Sequence, residues 1–172
     1  MHLFMVQIGF CLEGMNTEGH DTLFVIADSK EVAFAQIKKQ RPYAQHIDTC
    51  LQVNSVDGYE IRCTESPRPS EQKLWFINLG GYIEGKFGEV HKCLLIVAPD
   101  LAAAKTKAKQ DPFFKEPGRV QNPNAAPHLD DKHQVDDGID DVLCISDGFS
   151  FELIPTEKPI ENELTIQYIP LE

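Results

Sequence analysis

The sequence predicts an α+β fold of two tandem β-β-α-β-β repeats. The expected sheet is mostly antiparallel, with helices on one face and the two repeats related by a pseudo-twofold axis. Three observations lead there. Residues 74–109 repeat residues 3–38 at a constant displacement of 71, with ten of 36 aligned positions identical, where average composition would give about two. The apolar pattern repeats as well, as Phe4/Trp75, Val6/Ile77, Ile8/Leu79 and Val25/Ile96. The punctuation of a helix also recurs, with Ser29 and Asp100 at equivalent starts and Pro42 and Pro112 at equivalent ends. Self-similarity at a fixed period is the mark of a duplicated unit.

Each element follows from its residues. In the stretch 3–8, Phe4, Val6 and Ile8 alternate with Leu3, Met5 and Gln7, and the second copy opposes Trp75, Ile77 and Leu79 to Leu74, Phe76 and Asn78. Two apolar faces predict central strands. The one amide on the second face, Gln7 or Asn78, is expected to cap nearby backbone. The glycines that follow, Gly9 and Gly14, then Gly80, Gly81, Gly85 and Gly88, mark positive φ or close backbone approach. The runs 20–27 and 91–98 are nearly continuous in Leu, Phe, Val and Ile and read as buried strands. Ser29 and Asp100 carry the short side-chain oxygen that satisfies free N–H groups of a first helical turn. The helices are expected to reach about Gln40 and Gln110, burying stripes of Ala33, Phe34 and Ile37, and of Leu101, Ala104 and Ala108.

Beyond the helices the copies differ in length. Gln45-His46-Ile47-Asp48 aligns with Pro127-His128-Leu129-Asp130 only at an offset of 82, which assigns eleven extra residues to a Pro/Asn-rich surface loop within 111–127. Strands are expected at 50–53 and 59–63 in the first copy, with weaker counterparts at 134–135 and 149–153. The chain divides accordingly into a first repeat at 1–63, a linker at 64–73, a second repeat at 74–153 and a tail at 154–172 whose residues 164–169 form an edge strand. Each repeat is near the size at which one core is marginal, so a shared core and a sheet continuous across both are expected.

The composition is that of an ordinary globular chain, 42% apolar and 25% charged, with a net charge of -11. That acidity argues against nucleic acid and anionic membranes, both of which demand clustered Lys and Arg. The apolar N-terminal stretch lacks the basic start and cleavage site of an export signal. No run approaches a membrane span. Five cysteines without a C-x-x-C pair fit reduced, mostly buried thiols in a cytoplasm. No nucleophile elbow, phosphate loop or dinucleotide fingerprint occurs.

Two polar signatures remain. Glu-x-His occurs at Glu18/His20 and Glu89/His91, and His-x-Asp at His46/Asp48 and His128/Asp130. In extended backbone, residues i and i+2 share a face, so each pair presents two donors. Imidazole and carboxylate are the usual ligands of zinc and related ions, and the two pairs together would supply four. The blander reading makes these structural His–carboxylate pairs that orient a loop and a turn, and such short spacings favour it because they recur by chance. The six aspartates between His128 and Asp141 lack the spacing of a calcium loop and read as a solvated acidic segment.

Asn78-Leu79-Gly80-Gly81-Tyr82 with Glu89-x-His91, Glu18-x-His20-Asp21, His46-Ile47-Asp48 and Val56-Asp57-Gly58-Tyr59 together resemble a bacterial family called domain of unknown function 1543, which occurs singly or in tandem. The likeness covers residues 3–63 and 74–153 and departs at Gly9-Phe10 and Val135-Asp136-Asp137-Gly138. The resemblance implies a fold and a bacterial cytoplasm and carries over no catalytic residue. The expected function is therefore a non-enzymatic binding or regulatory module for an unidentified protein or small molecule. The alternative is a divalent-metal-binding protein or metal-dependent hydrolase using Glu18, His20, His46, Asp48, Glu89, His91, His128 and Asp130. No cofactor is expected beyond such a metal.

Overall fold

A computed structural model describes residues 1–83, 85–115, 119–120 and 139–171. The chain forms two compact units, Met1–Ser70 with Phe149–Glu172, and Glu71–Gly148. The architecture is α+β and dominated by three antiparallel sheets, with two α-helices among the described residues.

The first unit opens with β1 (His2–Phe10), β2 (Gly19–Ala27), α1 (Lys30–Gln40) and β3 (His46–Val53), then the short hairpin β4 (Ser55–Val56) and β5 (Tyr59–Cys63). Strand β1 lies between β2 and β3, as its two apolar faces require. One face packs Phe4, Val6 and Ile8 with Leu23, Val25, Ile47 and Cys50 against Ala33 and Ile37 of α1. On the opposite face Leu3, Phe24 and Val53 are also buried. Helix α1 starts where Ser29 Oγ accepts from the Val32 backbone N–H at 3.4 Å. The hairpin turns on Asp57 and Gly58, at φ of 51° and 80°, the two left-handed residues that a two-residue loop needs to match strand twist.

The second unit runs β6 (Lys73–Ile83), β7 (Val90–Ala98), α2 (Leu101–Ala108), a 3-10 turn at Pro112–Lys115, β8 (Arg119–Val120) and β9 (Ile139–Cys144). Strand β6 is paired with β7 on one side and with β9 and β8 on the other. Trp75, Ile77 and Leu79 pack with Ile96 and Ile139 against Ala104 and Ala108. Asp100 Oδ1 accepts from the Ala103 N–H at 2.8 Å. The hairpin registers of the two units coincide: Leu3 faces Ile26 as Leu74 faces Val97, and Gly9 faces His20 as Gly80 faces His91.

The tail returns to the first unit. Strand β10 (Phe151–Pro155) pairs with β5, and β11 (Glu163–Pro170) pairs with β3 at the open edge of the four-stranded sheet. The Asn162 side chain fastens it, accepting from the Asn54 and Ser55 backbone N–H groups at 2.7 and 2.9 Å and donating to Ser55 O at 2.9 Å.

Several expectations are corrected. The strand near 149–153 belongs to the first unit, because its backbone groups pair with Tyr59–Cys63. Each of the three sheets lies within one unit, so among the described residues no sheet is continuous across both. His46 and Asp48 stand in a strand instead of a turn. The third strand of the second unit carries an offset of 92, since Leu79 faces Ile139 as Ile8 faces Ile47; the offset of 82 was set by a local His-x-Asp match. Helix α2 ends at Ala108, and Leu101 is 41% exposed at its first position, outside the buried stripe. Of the five free cysteines only Cys50 is buried. Residues 134–135 lie outside the described residues. No described helix is long and apolar enough to cross a membrane.

Two expected outcomes follow from this packing. Ile37→Ala, at a fully buried position, should lower unfolding stability in urea by about 2–5 kcal/mol, whereas exposed Leu101→Ala should change it by less than about 0.5 kcal/mol. Burial pushes the Cys50 thiol up to about 11. The thiolate is the reactive form, so a raised value leaves Cys50 protonated and unreactive at neutral pH. Native thiol labelling read by mass spectrometry should modify exposed Cys11 and Cys93 and reach Cys50 only on unfolding.

Candidate functional site

At one end of the first sheet, Gly9 of β1 faces His20 on β2 and His46 on β3. A Cβ at Gly9 would lie 2.2 Å from His46 Nε2 and 2.7 Å from Glu18 Oε1, closer than any real contact. The missing side chain is the space in which the polar groups meet. Glu18 enters from the residue just before β2, after a loop that turns through Gly14 at φ 87°.

Strand β3 supplies the remaining two donors through a bulge. Along β1 the partners of Gln7 and Ile8 are Thr49 and Ile47, so Asp48 is an extra residue with no partner on β1. In a regular strand His46 and Asp48 would share a face with Cys50 while Ile47 pointed the other way; the bulge lets Ile47 and Cys50 both enter the core while His46 stays beside Gly9.

The four side chains form a closed ring of alternating imidazole and carboxylate. His46 Nε2 lies 2.9 Å from Glu18 Oε1 and 3.2 Å from Asp48 Oδ1, and His20 Nε2 lies 3.7 Å from Glu18 Oε2 and 3.4 Å from Asp48 Oδ2. His46 is the buried member, its side chain 5% exposed, while Glu18 and His20 are 42% and 46% exposed and form the rim. Two buried atoms of the ring, His46 Nδ1 and Asp48 Oδ2, have no hydrogen-bond partner among the described residues. The Tyr168 ring of β11 lies over His46, with centroids 4.2 Å apart and planes 31° from parallel.

The first unit thus brings together Glu18, His20, His46 and Asp48. The donors are turned to one another, and among the described residues no three or more His, Cys, Asp or Glu side chains stand already spaced around an ion. The second unit differs. Glu89 is exposed, and His91 Nδ1 lies 3.3 Å from Asn78 Nδ2, which donates to Asp141 Oδ2 at 3.1 Å and belongs to the amide that Cys93 Sγ approaches at 3.8 Å. Asn78 therefore bridges side chains instead of capping backbone. His128 and Asp130 lie outside the described residues. The strand register assigns the position of Asp48 to Asp140, the residue bulged between Asp141 and Ile139, so the pairing of His46/Asp48 with His128/Asp130 is superseded. At the same offset the counterpart of His46 is Gly138.

Sequence reasoning missed Tyr168, whose alternating tail signalled only an edge strand. It also missed the partners of His91, because Asn78, Cys93 and Asp141 meet only through strand pairing.

Comparison with known proteins gives matches to a family model and to solved structures. Residues 15–63 match the model of the Domain of Unknown Function (DUF1543) family, a span that contains Glu18, His20, His46 and Asp48. The chain is similar throughout to the crystal structure of a protein Il1583 from Idiomarina loihiensis, at 24% identity and a TM-score of 0.63 over 99% of this chain and 98% of that one. That likeness is one of fold. Among curated proteins nothing matches the chain.

Replacing the one residue that leaves room for the ring tests this arrangement. Gly9→Ala should displace His46 and Glu18, cost about 1–3 kcal/mol of stability through overpacking, and shift the His46 and His20 imidazole resonances in NMR spectra. Unchanged imidazole resonances would contradict the geometry.

Proposed function

We propose that this chain is a non-enzymatic binding protein whose first unit takes a divalent cation at Glu18, His20, His46 and Asp48. The observation that carries the reading is the ring of two imidazoles and two carboxylates over Gly9. Its four donor separations run from 2.9 to 3.7 Å. Each carboxylate meets the two imidazoles through different oxygens, so a tetrahedral ion, which sets four ligand atoms about 3.3 Å apart at the usual zinc–nitrogen and zinc–oxygen lengths, needs these side chains to turn. Admitting one requires rotation of Glu18 and His20, the two members with most access to solvent, while His46 and Asp48 stay as the fixed half. Two imidazoles among four donors favour zinc and its transition-metal neighbours over calcium and magnesium, which prefer oxygen ligands.

The same reading makes the chain a duplicated unit in which one copy keeps the site. The shared offset of 71 and the coincident hairpin registers support common descent. Glu89 and His91 persist in the second copy, but glycine replaces the buried imidazole at the corresponding position. A cytoplasmic setting suits exposed thiols outside any disulfide at Cys11 and Cys93.

Zinc titration by calorimetry, with metal content measured on protein purified without an affinity tag, tests the proposal. A single ion per chain is expected, lost in His46→Ala and in His20→Ala and unaffected by His91→Ala. Absence of binding, or binding that survives the double change His20→Ala with His46→Ala, would overturn it.

A further inference from the structure

We infer that Tyr168 is the residue that orients His46 for the cation, a positioning role that rests on the binding reading above. A metal-bound imidazole ordinarily fixes its plane and tautomer by a hydrogen bond from its second nitrogen to a carboxylate, carbonyl or water. Among the described residues no protein group bonds the buried Nδ1 of His46. The ring is held at its Nε2 edge by the Glu18 and Asp48 carboxylates over Gly9, and on its face by Tyr168 at a centroid distance of 4.2 Å.

The backbone delivers Tyr168 to that place by a second irregularity. Strand β11 pairs Ile166 with Thr49 and Ile169 with Ile47, so Gln167 and Tyr168 together oppose the single residue Asp48. The bulge on β3 and the bulge on β11 therefore fall at the same point, and the second brings an aromatic ring onto the imidazole of the site. The strand is pinned on both sides of that point, by Asn162 at its start and by Leu171 N donating to Gln45 O at 2.9 Å and Lys38 Nζ donating to Leu171 O at 3.2 Å at its end. Core packing does not account for the residue, since Tyr168 is 65% exposed. Its value lies in the face it turns to His46. The site is complete only when β11, which follows the second unit in sequence, has paired with β3.

Zinc calorimetry and cobalt absorption spectra on the full chain, for wild type, Tyr168→Phe and Tyr168→Ala, test this role, with metal-free thermal unfolding run alongside. The ring alone does the positioning, so Tyr168→Phe should keep wild-type affinity and the same cobalt spectrum. Tyr168→Ala should weaken zinc binding by about 10–100-fold, the usual cost of losing an outer-shell partner, and alter the cobalt spectrum while the metal-free midpoint stays unchanged. Wild-type affinity in Tyr168→Ala, equal loss in Tyr168→Phe, or a metal-free midpoint that falls in step with affinity would each overturn the role while leaving the cation site standing. A wild type that takes up no ion would sink the cation reading and this role with it.

Discussion

The absence of a side chain at Gly9 is the constraint on which the site depends. Strand β1 is the central strand of its sheet, so whatever stands at Gly9 meets neighbours on both sides, and those neighbours are His20 and His46. Directly opposed residues on adjacent strands hold their Cβ atoms about 5 Å apart, and two imidazoles can reach across the strand between them only if nothing rises from it. A single methyl group there would overlap His46 Nε2 and crowd Glu18 Oε1. The polar ring is thus built from a rigid, well-packed sheet and a deliberate gap in it, an economical way to hold donors on regular structure instead of on loops.

A second constraint is the bulge. The pleat of β3 serves the core on one side, where Ile47 and Cys50 pack against α1, and the site on the other. Strict alternation cannot satisfy both demands at His46-Ile47-Asp48 and carry Thr49 and Cys50 in register as well, and one extra residue absorbs the conflict. The second unit has the same irregularity at the same place on β6, so the bulge does not depend on the presence of the ring. What differs between the units is the chemistry mounted on it.

Much of the fold was legible because it is written locally. Helix caps at Ser29 and Asp100, the apolar faces of 3–8 and 74–79, and the positive φ of Gly14 and Gly85 depend on residues near in sequence, and the likeness of residues 74–109 to residues 3–38 gave each signal twice. What stayed hidden is non-local. The pairing of β10 with β5 and of β11 with β3 joins residues about a hundred positions apart, with no mark in either segment naming its partner. The offset of the third strand was misread because a three-residue motif outweighed the backbone pairing that decides it. The site was legible in part: Glu-x-His and His-x-Asp were visible as pairs, and Gly9 as a point of close approach. Their convergence, and the arrival of Tyr168, depended on register and on bulges that composition does not encode.

The central claim is that these four side chains, and no cysteine or solvent shell, surround a bound ion. X-ray absorption of the zinc-loaded protein reads that shell directly. The account requires nitrogen and oxygen neighbours at about 2.0–2.2 Å with the scattering signature of two imidazoles. A sulfur neighbour at about 2.3 Å, which would implicate Cys93 or another thiol, or a shell without imidazole, would contradict it.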